Sequence, residues 1–260
     1  MPQRGFAFLL AAEMGSGTIL LWALPAWVTA RWGTAGAILL IGSMIAASGI
    51  VCPWLPRAAP QSDEKPVGSA STLRGGTLTP WAGVVALTMH VGLFTGLWAF
   101  LERIGLDRTM SAIGVGQLLM GAMALATALA LAASQLGGNG RLVRPLTAAM
   151  MTQCIGTIVL MTGGKSIADF VAGALLIVGP FALIISYQLA LIAGSDTTGK
   201  VAAFSGGAQL IGVAIGPAIV GSLITDHGYQ SALAAFMVVT LVSLSVFIHV
   251  SRRVALPQPT

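Results

Sequence analysis

Charged side chains are scarce in this chain. Asp, Glu, Lys and Arg together make up 8% of its 260 residues, whereas soluble domains carry about 25% of these residues. Hydrophobic residues make up 56%, and the mean hydropathy is +0.89. The composition therefore excludes an ordinary soluble globular domain.

Cysteine is also rare, and the basic residues are dispersed. Cys52 and Cys154 lie in separate apolar runs, which excludes a disulfide framework and a CxxC metal or redox site. The net charge is +5, but the Lys and Arg residues are spread between the apolar runs. They lack the clusters and interleaved aromatics that bind a phosphate backbone. We expect neither a metal site nor a nucleic-acid partner.

Familiar catalytic motifs are lacking as well. The chain contains no G-x-S-x-G, H-E-x-x-H, P-loop or paired-carboxylate arrangement. The Ala47-Ser48-Gly49 run faintly resembles an intramembrane serine protease, which needs a His on another helix. Only His90 and His249 lie within apolar runs and offer one. We therefore expect that the chain is not an enzyme and uses no cofactor.

Long apolar runs dominate the sequence instead. A helix needs about 20 apolar residues to cross a hydrocarbon core of about 30 Å, whereas barrel strands alternate over about 10 residues. The runs here are continuously apolar, so the sequence predicts an all-α polytopic bundle of about eight helices in a lipid bilayer. The predicted spans are 6–29, 34–54, 81–101, 112–134, 146–162, 169–193, 201–224 and 231–250.

The polar residues between the spans predict the orientation. Residues 56–78 are rich in Pro, Ser and Gly and predict a linker between two helical units. Cytoplasmic loops retain Lys and Arg, and the basic residues divide nine against four between the two sides. The larger set is Arg4, Arg57, Lys65, Arg74, Arg141, Arg144, Lys200, Arg252 and Arg253, and the smaller is Arg31, Arg103, Arg108 and Lys165. We expect both termini and the linker on the cytoplasmic side of a bacterial inner membrane.

The first two spans resemble the last two. The matched positions are Gly15 and Pro25 with Gly207 and Pro217, ten residues apart in each pair, followed by Gly33 with Gly228. This pattern suggests an internal repeat, although Gly and Ala are frequent enough here to leave chance similarity open. Gly212 and Gly216 lie four residues apart in the seventh span, a spacing that lets helix backbones approach closely.

With these features the chain resembles the major facilitator superfamily over essentially all of its length. The matching pieces are the Asp196-x-x-Gly199-Lys200 loop, Gly216-Pro217 in the next helix, Gly228-Tyr229 opening the last one, and the loop 137–144. In that loop Gly140-Arg141 and Arg144 match the family pattern, while Gly137 stands where an Asp is expected.

The resemblance implies a domain arrangement and an activity. The family has two six-helix halves joined by a cytoplasmic linker. Residues 1–55 would hold the last two helices of the first half, 56–78 the linker and 79–260 the complete second half. Four N-terminal helices would then be missing or supplied by a partner chain. The implied activity is secondary transport of a small solute by alternating access, with a proton or another ion as a coupling partner. The alternative is a non-transporting membrane subunit.

Glu13 is an acidic residue well inside the first span. An ionised carboxylate buried without a partner costs several kcal/mol, so we expect Glu13 to be protonated, paired or hydrated. Two interpretations stay open. Glu13 is either a proton or cation coupling site, or a carboxyl group bonded to a neighbouring helix.

His90 lies near the middle of the third span, and Phe94 and Trp98 follow it on one helical face. The family resemblance implies that this helix lines a central cavity, which makes the three residues candidates for substrate binding. An imidazole can also change charge near neutral pH. The alternative is a neutral His90 hydrogen-bonded between helices, with the aromatic rings packed beside it.

The sixth span supplies further candidates. Phe181 and Gln188 lie seven residues apart on one face beside Tyr187, and Pro180 can bend the helix. Phe181, Tyr187 and Gln188 are candidate substrate contacts, but a gate or an interhelical hydrogen bond explains the two polar residues equally well. Among other glutamines, we expect Gln117 and Gln209 to reach the cavity and Gln153 to be structural.

Cysteine labelling tests the predicted topology. With Cys52 and Cys154 replaced by Ala, a membrane-impermeant reagent added outside the cell should modify Leu106→Cys or Lys165→Cys and miss Gly68→Cys. The expectation follows from the asymmetry of basic residues. Labelling of Gly68→Cys from outside would contradict the orientation.

Overall fold

The computed structural model of the protein describes residues 2–51, 78–136, 142–164, 166–196 and 198–253. Every regular element in these ranges is helical, which confirms the all-α fold class. The elements are α1 (Pro2–Ala23), a π-helix (Leu24–Thr29), α2 (Ala30–Val51), α3 (Leu78–Asp107), α4 (Ala112–Leu136), α5 (Val143–Thr162), α6 (Ile167–Val178), α7 (Phe181–Ser195), α8 (Lys200–His227) and α9 (Tyr229–Arg253). All of the predicted linker except Leu78, and residues 137–141 of the loop that resembles the family, lie outside the described ranges.

Six helical segments among the described residues are long and apolar enough to cross a membrane. They are Thr79–Asp107, Ala112–Ala132, Val143–Thr162, Ile167–Ser195, Lys200–His227 and Tyr229–Arg252. These segments correspond to the third to eighth predicted spans, and the chain is therefore a polytopic integral membrane protein. The first two predicted spans are helical where the structure describes them, and their membrane crossing stays a prediction.

The described residues form two compact units. The first combines residues 2–18 with 78–253, and the second contains residues 19–51. Glu13 of α1 and all residues of α3–α9 belong to the first unit. The division into 1–55, 56–78 and 79–260 that the family resemblance implies stays a prediction.

Two helix junctions have the same unusual backbone conformation. Gly33 breaks α2 at φ 62° and ψ −167°, and Gly228 separates α8 from α9 at φ 78° and ψ 177°. Essentially only glycine occupies this region, because a side chain would clash with the backbone. These are the two glycines that the sequence repeat pairs. The loop expected after residue 29 is reduced to a break at Gly33, because helical geometry continues through the π-helix up to that residue.

Helices α3 and α8 pack backbone against backbone. A Cβ atom added to Gly212 would lie 2.5 Å from the carbonyl oxygen of Thr88, and one added to Gly216 would overlap the carbonyl oxygen of Gly92. Such close approach is possible only where side chains are absent. The expectation that Gly212 and Gly216 permit close helix packing is confirmed.

The sixth predicted span is broken in two at Gly179 and Pro180. Helix α6 ends at Val178 and α7 begins at Phe181. Proline has no N–H to continue the helical hydrogen bonds, and its ring crowds the preceding turn. The bend expected at Pro180 is thus an interruption of the helix.

The N-terminus of α8 is capped by Asp196. The Asp196 carboxylate accepts hydrogen bonds at 2.9 Å from the N–H groups of Ala202 and of Thr198. Between them, Gly199 turns the chain with φ 72°. The Ala202 N–H is the main cause that lowers the pKa of Asp196 to about 2, since a hydrogen-bonded carboxylate is stabilised in its charged form. The Asp196-x-x-Gly199 spacing therefore has a local role in starting this helix.

Gly216→Ala should destabilise the bundle, because the added methyl group forces α3 and α8 apart. We expect a loss of roughly 1–3 kcal/mol, as in other overpacked cores, seen as a lower thermal midpoint in detergent and lower membrane abundance. Gly207→Ala in the same helix is the matched control, since its Cβ would meet no atom within 4 Å. Equal midpoints for the two variants would contradict the packing argument.

Candidate functional site

A chain of hydrogen bonds joins four helices inside the bundle. His90 Nε2 lies 2.9 Å from Gln153 Oε1, and Gln153 Nε2 donates to the Ile177 carbonyl oxygen at 2.9 Å. On the other side, Gln188 Nε2 lies 3.5 Å from His90 Nδ1 and donates to Ser243 Oγ at 3.2 Å. His90, Gln153 and Gln188 are fully buried. This network connects α3, α5, α7 and α9 with the end of α6.

The direction of these bonds determines which nitrogen of the His90 imidazole carries a proton. Gln153 uses its amide nitrogen to bond Ile177, so its oxygen accepts the proton carried by His90 Nε2. His90 Nδ1 then accepts from Gln188. The Nε2 atom of His90 therefore carries a proton, and its Nδ1 atom faces the amide nitrogen of Gln188, whose own buried Oε1 atom has no hydrogen-bond partner among the described residues.

The helix break explains why Gln153 is needed at this place. Helix α6 ends at Val178 and α7 begins at Phe181, so the Ile177 carbonyl oxygen belongs to the last turn of α6, where carbonyl groups have no intrahelical donor. The carbonyl oxygen of Ile177 accepts from the Gln153 side chain, which supplies a donor from a neighbouring helix. An unpartnered carbonyl in a nonpolar interior would cost several kcal/mol.

Aromatic rings pack beside the network. The rings of Phe94 and Phe181 stack face to face with centroids 3.5 Å apart and an interplanar angle of 6°. The ring of Phe236 lies nearly parallel to His90, at 6.0 Å and 17°. The stacked pair thus links α3 to the first residue of α7.

A cavity of about 240 Å³ is lined by residues of α1, α3, α4, α6, α7 and α8. Its aromatic wall consists of Phe94, Trp98 and Phe181. Thr95 and Gln209 also line it, and the remaining lining residues besides Glu13 are Leu, Ile, Val and Met. The cavity is thus mainly apolar with a few polar groups.

Glu13 is the only ionisable residue among the described residues that line the cavity. No other described residue donates a hydrogen bond to its carboxylate. Thr95 is less available as a donor, because its hydroxyl group bonds the carbonyl oxygens of Val91 and Gly92. Among the described residues, no group of three His, Cys, Asp or Glu side chains could hold a metal ion.

The structure brings four of the seven predicted site residues together. Glu13, Phe94, Trp98 and Phe181 line the cavity. The other three do not line it, and each of them is buried: they are His90, Tyr187 and Gln188.

Gln117, Gln153 and Gln209 lie in three different environments. Gln209 lines the cavity, whereas Gln117 is exposed and does not line it. Gln153, which we expected to be structural, bonds both His90 and the Ile177 carbonyl oxygen. His90 is hydrogen-bonded to side chains of two other helices, and its role in transport stays a prediction.

Sequence reasoning missed two features of this region. Ser243 receives a hydrogen bond from Gln188, but a lone Ser in an apolar helix has no pattern that indicates its partner. The Ile177 carbonyl is different, because Gly179-Pro180 predicts a helix end, and the last carbonyl groups of a helix need donors from elsewhere. The sequence therefore predicts a polar side chain near this helix end, although it does not predict which one.

Comparison with models of known protein families finds no match for this chain. Comparison with curated proteins finds no significant match either. The features of the molecule that bear on function are therefore the cavity, the broken helix and the polar network.

Gln153→Ala tests the network. The substitution leaves the His90 Nε2–H and the Ile177 carbonyl oxygen without their partners, and each buried unpartnered group costs about 1–3 kcal/mol. We expect a clear fall in the thermal midpoint of the purified protein. Gln117→Ala is the matched control, because Gln117 is exposed and surface substitutions stay within about 0.5 kcal/mol. Equal midpoints for the two variants would show that the network contributes nothing.

Proposed function

We propose that the protein is a secondary transporter that moves a small solute through the cavity by alternating access, as its resemblance to the major facilitator superfamily implies. The observation that carries the proposal is the cavity itself. An apolar cavity with a few polar groups is the usual form of a small-molecule site, and such sites measure about 300–1,000 Å³. A volume of about 240 Å³ fits a small solute.

The broken helix supports a transport cycle. Val178 and Phe181, on the two sides of the break, both line the cavity. Transporters place discontinuous helices at their substrate sites, and the break lets two half-helices move separately. A tilt of α7 relative to α6 would displace the Phe181 ring and change the cavity wall. The movement of solute is thereby linked to a hinge at Pro180.

The proposed roles divide the predicted residues into two groups. Phe94, Trp98 and Phe181 contact the solute, and Glu13 is the coupling site for a proton or another ion. Gln188, together with His90 and Tyr187, positions α7 against its neighbours from the buried side. The proposal contains no catalytic residue and no cofactor.

The orientation belongs to the same proposal. Both termini lie on the cytoplasmic side of a bacterial inner membrane, because nine basic residues fall on that side and four on the other. Asp196, which starts α8, then lies at the cytoplasmic surface together with Lys200.

Uptake by the chain in proteoliposomes, measured over a panel of radiolabelled small solutes, tests this function. For any solute taken up, Trp98→Ala should reduce the rate at low concentration about tenfold, as loss of a buried aromatic contact costs at least 1 kcal/mol. Membrane abundance should not change. Trp81→Ala is the matched control, since Trp81 lies on the same helix, is exposed and does not line the cavity.

The same assay includes Glu13→Gln, which should remove the pH dependence of uptake if Glu13 couples an ion. Parallel loss of abundance and activity in Trp98→Ala would indicate a packing role for this residue. No saturable uptake of any solute, together with a stoichiometric partner that stays bound during purification, would contradict transport by this chain and support a membrane subunit.

A further inference from the structure

We infer that the solute of this cavity is a small organic cation, with one positive charge on an apolar body the size of an aromatic ring. This inference rests on the proposed function, because it names the substrate class of the same cavity. It is carried by three observations: the charge of the lining, its aromatic wall and its small number of hydrogen-bonding groups.

The charge of the lining favours a cation. Of the thirteen described residues that line the cavity, Glu13 alone is ionisable, and no Lys, Arg or His is among them. Glu13 is exposed in the structure, so its carboxylate is open to a bound ligand, and a nearby opposite charge stabilises the ionised form. No other described residue donates a hydrogen bond to the Glu13 carboxylate. A cation that enters the cavity supplies the missing partner, whereas an anion would meet the carboxylate with no compensating positive charge.

The aromatic wall favours the same ligand. Trp98 and Phe94 lie one helical turn apart on α3, and both line the cavity with Phe181. The face of an aromatic ring attracts a cation, and tryptophan does so most strongly. Phe94 and Phe181 each use one ring face to stack on the other, so the indole of Trp98, the strongest cation-binding ring of the three, is the main aromatic contact that we infer for the charged group.

The few hydrogen-bonding groups argue against a sugar or another polyol. Besides the Glu13 carboxylate, the lining offers the Gln209 amide, the Thr95 hydroxyl and the Trp98 indole N–H. The Thr95 hydroxyl already bonds two backbone carbonyl oxygens. Most hydroxyl groups of a polyol would lose their water partners without replacement, and each loss is costly. A quaternary ammonium group needs no hydrogen bonds at all.

Two probes of equal shape distinguish the effect of ligand charge on binding from the effect of ligand size. Benzyltrimethylammonium carries the positive charge, and neopentylbenzene has carbon in place of the charged nitrogen. Binding of each probe to the full chain in nanodiscs is measured by quenching of tryptophan fluorescence and by equilibrium dialysis, with empty nanodiscs as the background. We expect saturable binding of the cation that is at least about tenfold tighter than binding of the neutral isostere.

Three variants test where the preference originates. Glu13→Gln keeps the shape of the side chain and removes its charge, so the advantage of the cation over the isostere should fall clearly and leave only what the Trp98 ring contributes. Trp98→Ala should weaken the binding of both probes. Glu102→Gln is the matched control, because Glu102 is exposed on the same helix as Trp98 and does not line the cavity. It should leave the preference unchanged.

The outcomes distinguish this inference from the proposed function. Equal saturable binding of both probes to the unmodified chain would overturn the cation inference and leave the cavity as a solute site. An undiminished preference in Glu13→Gln would overturn it as well, because the charged group would then bind away from Glu13. Absence of saturable binding of either probe also overturns it, and uptake of the wider solute panel then decides the proposed function separately.

Discussion

The hydrogen bond from Gln153 to the carbonyl oxygen of Ile177 is the interaction that allows a helix to be broken inside this membrane protein. Within hydrocarbon no water replaces a lost backbone partner, so each freed carbonyl needs a donor from the protein. Gln153 supplies that donor and uses its own oxygen to bond His90. The bonds continue through Gln188 to Ser243. The chain of hydrogen bonds thus runs from the helix break at the end of α6 through α5, α3 and α7 to α9.

The broken helix also determines the shape of the cavity. Phe181 is the first residue of α7, and its ring stacks on the ring of Phe94. Phe94 and Phe181 line the cavity together with Glu13, and the Phe181 ring also lies 6.3 Å from the His90 ring. His90 and Gln153 have hydrogen-bond partners inside the protein, whereas within the described part of the chain the Gln188 Oε1 atom is buried without one and the Glu13 carboxylate accepts no hydrogen bond. That contrast is the basis for the structural role proposed for His90 and the ligand role proposed for Glu13.

Close helix packing holds this arrangement together from the other side. Gly92 and Gly216 let α3 and α8 touch through their backbones, so the two helices that carry Trp98 and Gln209 have little freedom to separate. The spacing of Gly212 and Gly216 predicted close helix packing, and the structure shows that the partner helix is α3. The sequence also paired Gly33 with Gly228, and both adopt the same glycine-specific conformation. Such features are local, and local patterns are where sequence reasoning is strongest.

The sequence by itself determined that the chain is an all-helical polytopic membrane protein, because the length and hydropathy of each run are properties of that run alone. It also placed Phe94 and Trp98 on one helical face, and both line the cavity. Only the tertiary structure decided that His90 and Gln188 close a network with each other while Glu13 stays outside it. Those hydrogen bonds join residues 63 and 98 positions apart, and their formation depends on how helices pack, which no periodicity within one helix encodes.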